Sequence, residues 1–102
     1  MAISFTERVS VAPDVLFRVL GEEGVLVNLT TGRYLGLDMV GTRMWNVLTN
    51  ATSIQAAYEE LLQEYEVEPA RLRADVAEFI DQLLGQKLIE TGPVSDEGRQ
   101  SA

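Results

Sequence analysis

The sequence contains no cysteine and no histidine among its 102 residues. Their absence excludes thiol nucleophiles, thiolate or imidazole metal sites and Ser-His-Asp triads. It also excludes a disulfide framework, and it fits a reducing, cytoplasmic compartment. We therefore expect a domain with little equipment for catalysis, and with no metal and no cofactor.

Basic residues are also scarce: 8 Lys and Arg stand against 16 Asp and Glu, which gives a net charge of −8. This balance argues against nucleic acid or an anionic membrane as partner, since either would need a basic face. No apolar run approaches the roughly 20 residues of a membrane span. The N-terminus lacks the basic and apolar regions of a signal peptide. A cytoplasmic domain with no membrane partner is the expectation.

The first forty residues have the pattern of β-structure. Two β-branched, apolar runs, Val15–Leu20 and Val25–Leu29, flank Gly21-Glu22-Glu23-Gly24, which predicts a hairpin. A second turn leads into a third strand, Arg33–Leu37. Counting with period two predicts a core face on these strands. The residues predicted on this core face are Val15, Phe17, Val19, Val25, Val27, Leu29, Leu35 and Leu37. Leu26 and Asn28 would lie on the opposite face. The N-terminal segment would partly cover that opposite face with Ile3, Phe5, Val9 and Val11.

The following fifty residues have helical spacing. Asp38 is a candidate N-cap, residues 52–55 have the spacing of a capping box, and Pro69 suits the first turn of a third helix that Gly85 would end. Leu88-Ile89 would form a short extra strand or pack under the helices. The expected fold is α+β and winged-helix-like, with a three-stranded antiparallel sheet followed by three helices packed on one face. Residues 1–92 would form this single domain and residues 93–102 a mobile tail.

Two charged features could suggest other functions. A run of glutamates from residue 59 to residue 68 could attract a hard cation, but it lacks the ligand loop of a calcium site and is interpreted as a solvated helix face. A winged-helix fold also suggests a DNA-binding transcription regulator. However, the would-be recognition helix is about neutral, because Asp75, Glu78 and Asp81 offset Arg71, Arg73 and Lys87. DNA binding is therefore the less favoured alternative.

The third predicted strand, Arg33–Leu37, would lie at an edge of the sheet. It contains no proline and only one charge, so its unpaired backbone groups are unprotected. An extended peptide could add to such an edge, with an apolar helix face supplying side-chain pockets. Two alternatives stay open: the edge could pair with the chain's own terminus, or with a second copy in an oligomerisation module.

The run Gly24–Trp45 contains Gly-Arg-Tyr, then Leu-Asp, then Gly-Thr-Arg-Met-Trp, and the last helix contains Asp75-Val76 and Phe79-Ile80. Over residues of about 12 to 90, this pattern resembles the PqqD-like family of precursor-peptide recognition elements. The resemblance implies a non-catalytic peptide chaperone. Such a protein binds the leader of a ribosomally made precursor peptide and presents it to a modifying enzyme, such as a leader peptidase or a radical enzyme.

The resemblance also implies where the leader binds: as a strand added to the third strand, against the third helix. The implied peptide-binding residues are Arg33, Tyr34, Leu35, Gly36, Leu37, Arg71, Leu72, Asp75, Val76 and Phe79. Arg71 or Arg73 would be available for carboxylates of the leader. The run Asn28–Tyr34 looks like that of stand-alone members from lasso-peptide pathways. The Cys-Gly common in members that serve quinone-cofactor pathways is absent near Asn50.

Overall fold

The computed structural model describes residues 3–94, which form two small antiparallel sheets and three helices. One sheet has the order β2-β3-β4 and the other pairs β1 with β5. The predicted α+β architecture, a three-stranded antiparallel sheet followed by three helices, is confirmed. The elements are β1 (Glu7–Val11), β2 (Val15–Leu20), β3 (Glu23–Asn28), β4 (Tyr34–Leu37), α1 (Met39–Asn50), α2 (Ile54–Glu64), α3 (Pro69–Gly85) and β5 (Ile89–Pro93).

The β2–β3 hairpin closes through a two-residue turn, Gly21-Glu22, and not through the four residues predicted. Leu20 pairs directly with Glu23. Gly21 has φ of +69°, as expected for a type II′ turn with glycine at its first central position. Strand β3 therefore begins two residues earlier than predicted, and this sets the register of the whole sheet.

That register places several residues on a face other than the one predicted. Phe17 lies opposite Leu26, and Leu26 lies opposite Leu35, so these three share the face that packs against the helices. Leu26 is fully buried, and the Phe17 ring lies 5.7 Å from that of Trp45 in α1. A residue and its partner in an antiparallel pair always share a face, and partners across this turn differ by an odd number of positions, so the alternation of faces shifts by one residue between β2 and β3 and does not continue unbroken as predicted. The core assignment was wrong for Val25, Val27 and Leu29.

The β3–β4 connection ends in a β-bulge at Gly32. Gly32 has φ of +78° and donates its N–H to the Asn28 carbonyl, while the Asn28 N–H donates to the Arg33 carbonyl. This is the G1 bulge, in which two residues oppose one. The Asn28 side chain, predicted on the outer face, is buried. It accepts from the N–H groups of Thr30 and Thr31 and donates to the Lys87 carbonyl at 2.7 Å.

The N-terminal segment does not cover the β2-β3-β4 sheet as predicted, because β1 pairs with β5 instead. Phe5 and Val9 are buried against the helices, and the Phe5 ring meets Tyr58 edge-on at 5.9 Å. Of the two alternatives for Leu88-Ile89, the short extra strand is the one observed at Ile89. Strand β5 continues through Pro93, one residue beyond the predicted domain boundary. Most of the predicted tail, residues 95–102, lies outside the described residues.

Local sequence signals explain the helix ends. Asp38 caps α1 as predicted, its carboxylate accepting from the Gly41 N–H at 2.7 Å. Ser53, not Thr52, caps α2. Helix α3 ends in a Schellman motif whose left-handed residue is Lys87 rather than the predicted Gly85. None of the helices in the described residues has the length and apolarity needed to cross a membrane.

The core lies between the helices and both sheets. Helix α1 packs on β3 and β4, while α2 and α3 pack against the β1–β5 pair. The largest fully buried side chains come from every layer: Val9, Leu26, Leu48, Ile54, Leu61, Val76, Ile80, Leu83 and Leu88. Within residues 3–94, no element covers the outer face of the β2-β3-β4 sheet, and Leu16 and Tyr34 are exposed there.

Candidate functional site: a sheet edge beside an apolar groove

Strand β4 is an edge strand, as the sequence predicted. In an antiparallel sheet, alternate residues direct both backbone groups toward the neighbouring strand. Because the Arg33 carbonyl accepts from Asn28, this alternation directs Arg33 and Leu35 toward β3. Tyr34 and Gly36 therefore direct their N–H and C=O groups outward. The side chain of Tyr34 is 70% exposed, and a Cβ added to Gly36 would meet nothing within 4 Å.

A groove of about 810 Å³ lies beside this edge, between β4, the start of α1 and one face of α3. Strand β4 and helix α3 run in opposite directions along it. Arg33, just before β4, donates to Gln86 just after α3, at 3.4 Å. At the other end, Gly36 and Leu37 line the groove together with the stretch of α3 that contains Asp75 and Phe79. A chain added to the β4 edge would thus run alongside α3.

The groove has an apolar floor and an acidic rim. The floor is formed by Leu37, Val40, Met44, Leu61, Tyr65, Val67, Leu72 and Phe79. The rim carries four carboxylates, those of Asp38, Asp75, Glu78 and Asp81. Among the described residues that line the groove, none is a lysine or an arginine. The groove can therefore take apolar side chains at its base and positive charge at its rim.

The predicted site residues fall into four groups. Five line the groove: Gly36, Leu37, Leu72, Asp75 and Phe79. Arg71 lies in an adjoining depression of about 340 Å³ with Asp75, and its guanidinium lies 3.6 Å from that carboxylate. Arg33, Tyr34 and Leu35 lie along the strand. Val76 is fully buried in the core, so it is inaccessible to a peptide.

Arg73, the second arginine considered for leader carboxylates, does not lie at the groove. Its guanidinium stacks on the Phe5 ring at 4.0 Å and donates to Gln55 at 3.3 Å. These contacts place it on the side of α3 that faces the N-terminal segment. Arg73 therefore stabilises the packing of that segment through a cation–π contact.

Sequence reasoning missed the contributions of α1 and of the α2–α3 connection. Val40 and Met44 of α1 both line the groove, and Val40 is 48% exposed. Tyr65 and Val67, from the connection, line it too. Periodicity shows that a helix has an apolar face but not which part of that face a neighbouring element leaves uncovered. Two adjacent apolar residues at the helix start, Met39-Val40, were the available signal.

Residues 3–94 contain no group of three or more His, Cys, Asp or Glu that could hold a metal ion. The rim carboxylates are spread along α3 and the start of α1. The chemistry available at this site is therefore backbone hydrogen bonding, apolar contact and charge.

Comparison with known proteins agrees with this geometry. A solved structure, TbiB1 in complex with the TbiA(beta) leader peptide, shares the fold with a TM-score of 0.72 and 29% sequence identity. The match covers 79% of this chain and 94% of that one. No curated protein matches the chain. The family model described as coenzyme PQQ synthesis protein D (PqqD) matches residues 23–89, about two thirds of the sequence, and the chain accordingly belongs to the PqqD family.

Proposed function

We propose that this chain binds the leader of a ribosomally synthesised precursor peptide as a strand added to β4, and presents it to a modifying enzyme. The observation that carries the proposal is the outer edge of β4, which pairs with no other strand of the described residues and lies beside an apolar groove. Membership of the PqqD family and the likeness to a protein solved with a leader peptide support it.

Micromolar binding of a peptide requires both the backbone edge of β4 and the apolar groove beside it. Micromolar affinity corresponds to about −8 kcal/mol. The outward groups of Tyr34 and Gly36 offer about four backbone hydrogen bonds, at about 1 kcal/mol each. The remaining ~4 kcal/mol, together with the entropic cost of association, must come from apolar side chains of the leader. The floor of the groove supplies the surface for these side chains.

The proposed contacts are the accessible residues of the edge and of the facing side of α3. A leader strand would bond to the backbone of β4 and place alternate side chains over the groove. The contacts are Arg33, Tyr34, Leu35, Gly36, Leu37, Arg71, Leu72, Asp75 and Phe79. Val76, which is buried, would act by supporting Leu72 and Phe79 from below.

Nothing favours the DNA-binding alternative. Duplex binding needs a basic surface to displace counterions. Here the exposed side of α3 carries Asp75, Glu78 and Asp81 along an acidic rim. The oligomerisation alternative uses the same edge, and a change of molecular mass with protein concentration would distinguish it from peptide binding.

The finer assignments are part of the proposal as well. We propose a non-catalytic role in the cytoplasm, within a lasso-type pathway, with a leader peptidase or a radical enzyme as partner. The likeness of Asn28–Tyr34 to stand-alone lasso-pathway members supports the pathway. The absence of cysteine and histidine supports the lack of catalysis.

Replacing a single outward amide tests strand addition. Tyr34→Pro removes an N–H that faces away from β3, so the sheet keeps its own hydrogen bonds. We expect it to weaken binding of the leader half of a precursor encoded beside this gene by about tenfold or more, since an acceptor of the leader loses its partner. Fluorescence anisotropy with labelled leader measures the change.

Two variants serve as controls. Tyr34→Ala removes the same side chain but keeps the amide. Val19→Pro places proline on the outward side of β2, at the opposite edge of the sheet, where the β2–β3 alternation also directs the N–H outward. Equal losses for Tyr34→Pro and Val19→Pro, or unchanged affinity in a folded Tyr34→Pro protein, would count against addition at β4.

A further inference from the structure

We propose that the groove selects a cationic segment: the docked peptide carries Lys or Arg, and no Asp or Glu, at positions that face α3. This inference deepens the proposed function and rests on it. It names the chemistry of the peptide from the groove itself, an apolar floor beneath a rim of four carboxylates with no lysine or arginine among the lining residues described.

The rim carboxylates differ in how far the chain already neutralises them. Asp75 lies 3.6 Å from Arg71, and Asp38 is engaged in capping α1. Glu78 and Asp81 form no ion pair within residues 3–94. Two negative charges that line the groove are therefore left for a ligand to neutralise.

The positions of these acids fit an extended peptide. Asp75, Glu78 and Asp81 are spaced three residues apart, so they lie along one side of α3. Phe79 and Leu72, on the same helix, form part of the floor beside this rim. A lysine or arginine side chain has an apolar stem and a charged head. Its stem can cover the floor while its head reaches the rim.

The same geometry disfavours anionic side chains. The start of α1, which would otherwise attract an anion, opens onto the groove, but the Asp38 carboxylate already accepts from its Gly41 N–H. Of the two arginines expected to meet leader carboxylates, Arg73 packs on Phe5 and Arg71 is paired with Asp75. A leader acid placed over α3 would meet Glu78 and Asp81 instead.

Selection from a displayed library of random short peptides tests the inference without prior choice of a leader. Peptides retained by the wild-type chain should be enriched in Lys and Arg beside their apolar residues and depleted in Asp and Glu. Changing the cation of the best binder to Glu should weaken binding about five- to tenfold at low salt, and less at high salt.

Charge-reversal variants test whether the preference for cationic peptides comes from Glu78 and Asp81. Glu78→Lys with Asp81→Lys should invert the preference toward acidic peptides, and the milder Glu78→Gln with Asp81→Asn should abolish it. The control is Glu59→Lys with Glu90→Lys, which changes the net charge equally at exposed positions that do not line the groove. The control should retain the wild-type preference.

The outcomes separate the inference from the proposed function. Peptides that bind without any preference for cations, or a preference that the control variant loses as fully as the groove variant, overturn the inference and leave peptide binding intact. If neither the library nor the precursor leader yields binding, the proposed function fails and the inference fails with it.

Discussion

At the scale of single residues, Asn28 links the strand of the candidate site to the end of α3. Its side-chain carbonyl accepts hydrogen bonds from the backbone N–H groups of Thr30 and Thr31 in the β3–β4 connection. Its side-chain NH2 donates to the Lys87 carbonyl. Lys87 itself adopts φ of +60°, a conformation that a side chain disfavours. One buried amide thus fixes both the bulge that starts β4 and the turn that ends α3.

Asn28→Ala should therefore destabilise the protein by about 1–3 kcal/mol, because it removes three hydrogen bonds of a buried side chain to part-buried backbone groups. Asn50→Ala is the matched control, since Asn50 is exposed and bonds only the Asn46 carbonyl of its own helix. It should cost less than about 0.5 kcal/mol. Urea unfolding measures both, and equal losses would contradict the role given to Asn28.

At the scale of elements, α1 and α2 are joined on their exposed side by Arg43. Its guanidinium pairs with Glu64, where Nε donates to Oε1 at 2.8 Å, and it lies 3.6 Å from the Glu60 carboxylate. The hydrogen bonds from Arg43, more than its charge, lower the pKa of Glu64 below its usual value. The groove depends on this helix pair, because Met44 of α1 and Leu61 of α2 both line it.

The stability that this pair adds should depend on pH with a definite sign. A carboxyl whose pKa is lowered by folding stabilises the fold above its unfolded pKa of about 4.3, and the contribution disappears as pH falls through the folded pKa. Glu64→Gln should thus destabilise the protein at pH 7 by a small amount that shrinks in acid. Glu66→Gln, also exposed and outside every ion pair described in residues 3–94, removes the same charge without breaking an ion pair and serves as the control. A Glu64→Gln deficit that stayed constant with pH would contradict this account.

The elements also show what could be predicted from the sequence. Strands and helices followed from alternation, from helical spacing and from helix-start signals such as the cap Asp38 and the first-turn proline Pro69. The faces of β3 did not, because local alternation does not show which residues pair across the turn, and the pairing of Leu20 with Glu23 shifts the alternation by one residue. Pairing of β1 with β5 joins segments about eighty residues apart, a contact that no local pattern encodes.

At the scale of the whole molecule, the site arises where the two halves of the chain meet. The β half contributes an edge strand and the α half contributes the wall, so the groove is a consequence of packing α1 and α3 beside β4. The pattern of alternating residues predicted that β4 is an edge strand, and the family resemblance implied that the third helix lies beside the bound peptide. The floor residues Val40, Met44 and Tyr65 emerged only from the assembled structure.

The most direct test of the central claim is amide hydrogen exchange of the ¹⁵N-labelled protein, measured by NMR with and without saturating precursor leader. We predict that the outward amides of Tyr34 and Gly36 gain protection, because a new strand accepts their hydrogen bonds, while the outward amides of Val15, Phe17 and Val19 at the opposite edge do not change. Unchanged exchange at Tyr34 and Gly36 in the peptide-saturated protein, or protection that develops along β2 instead, would contradict addition of the leader at β4.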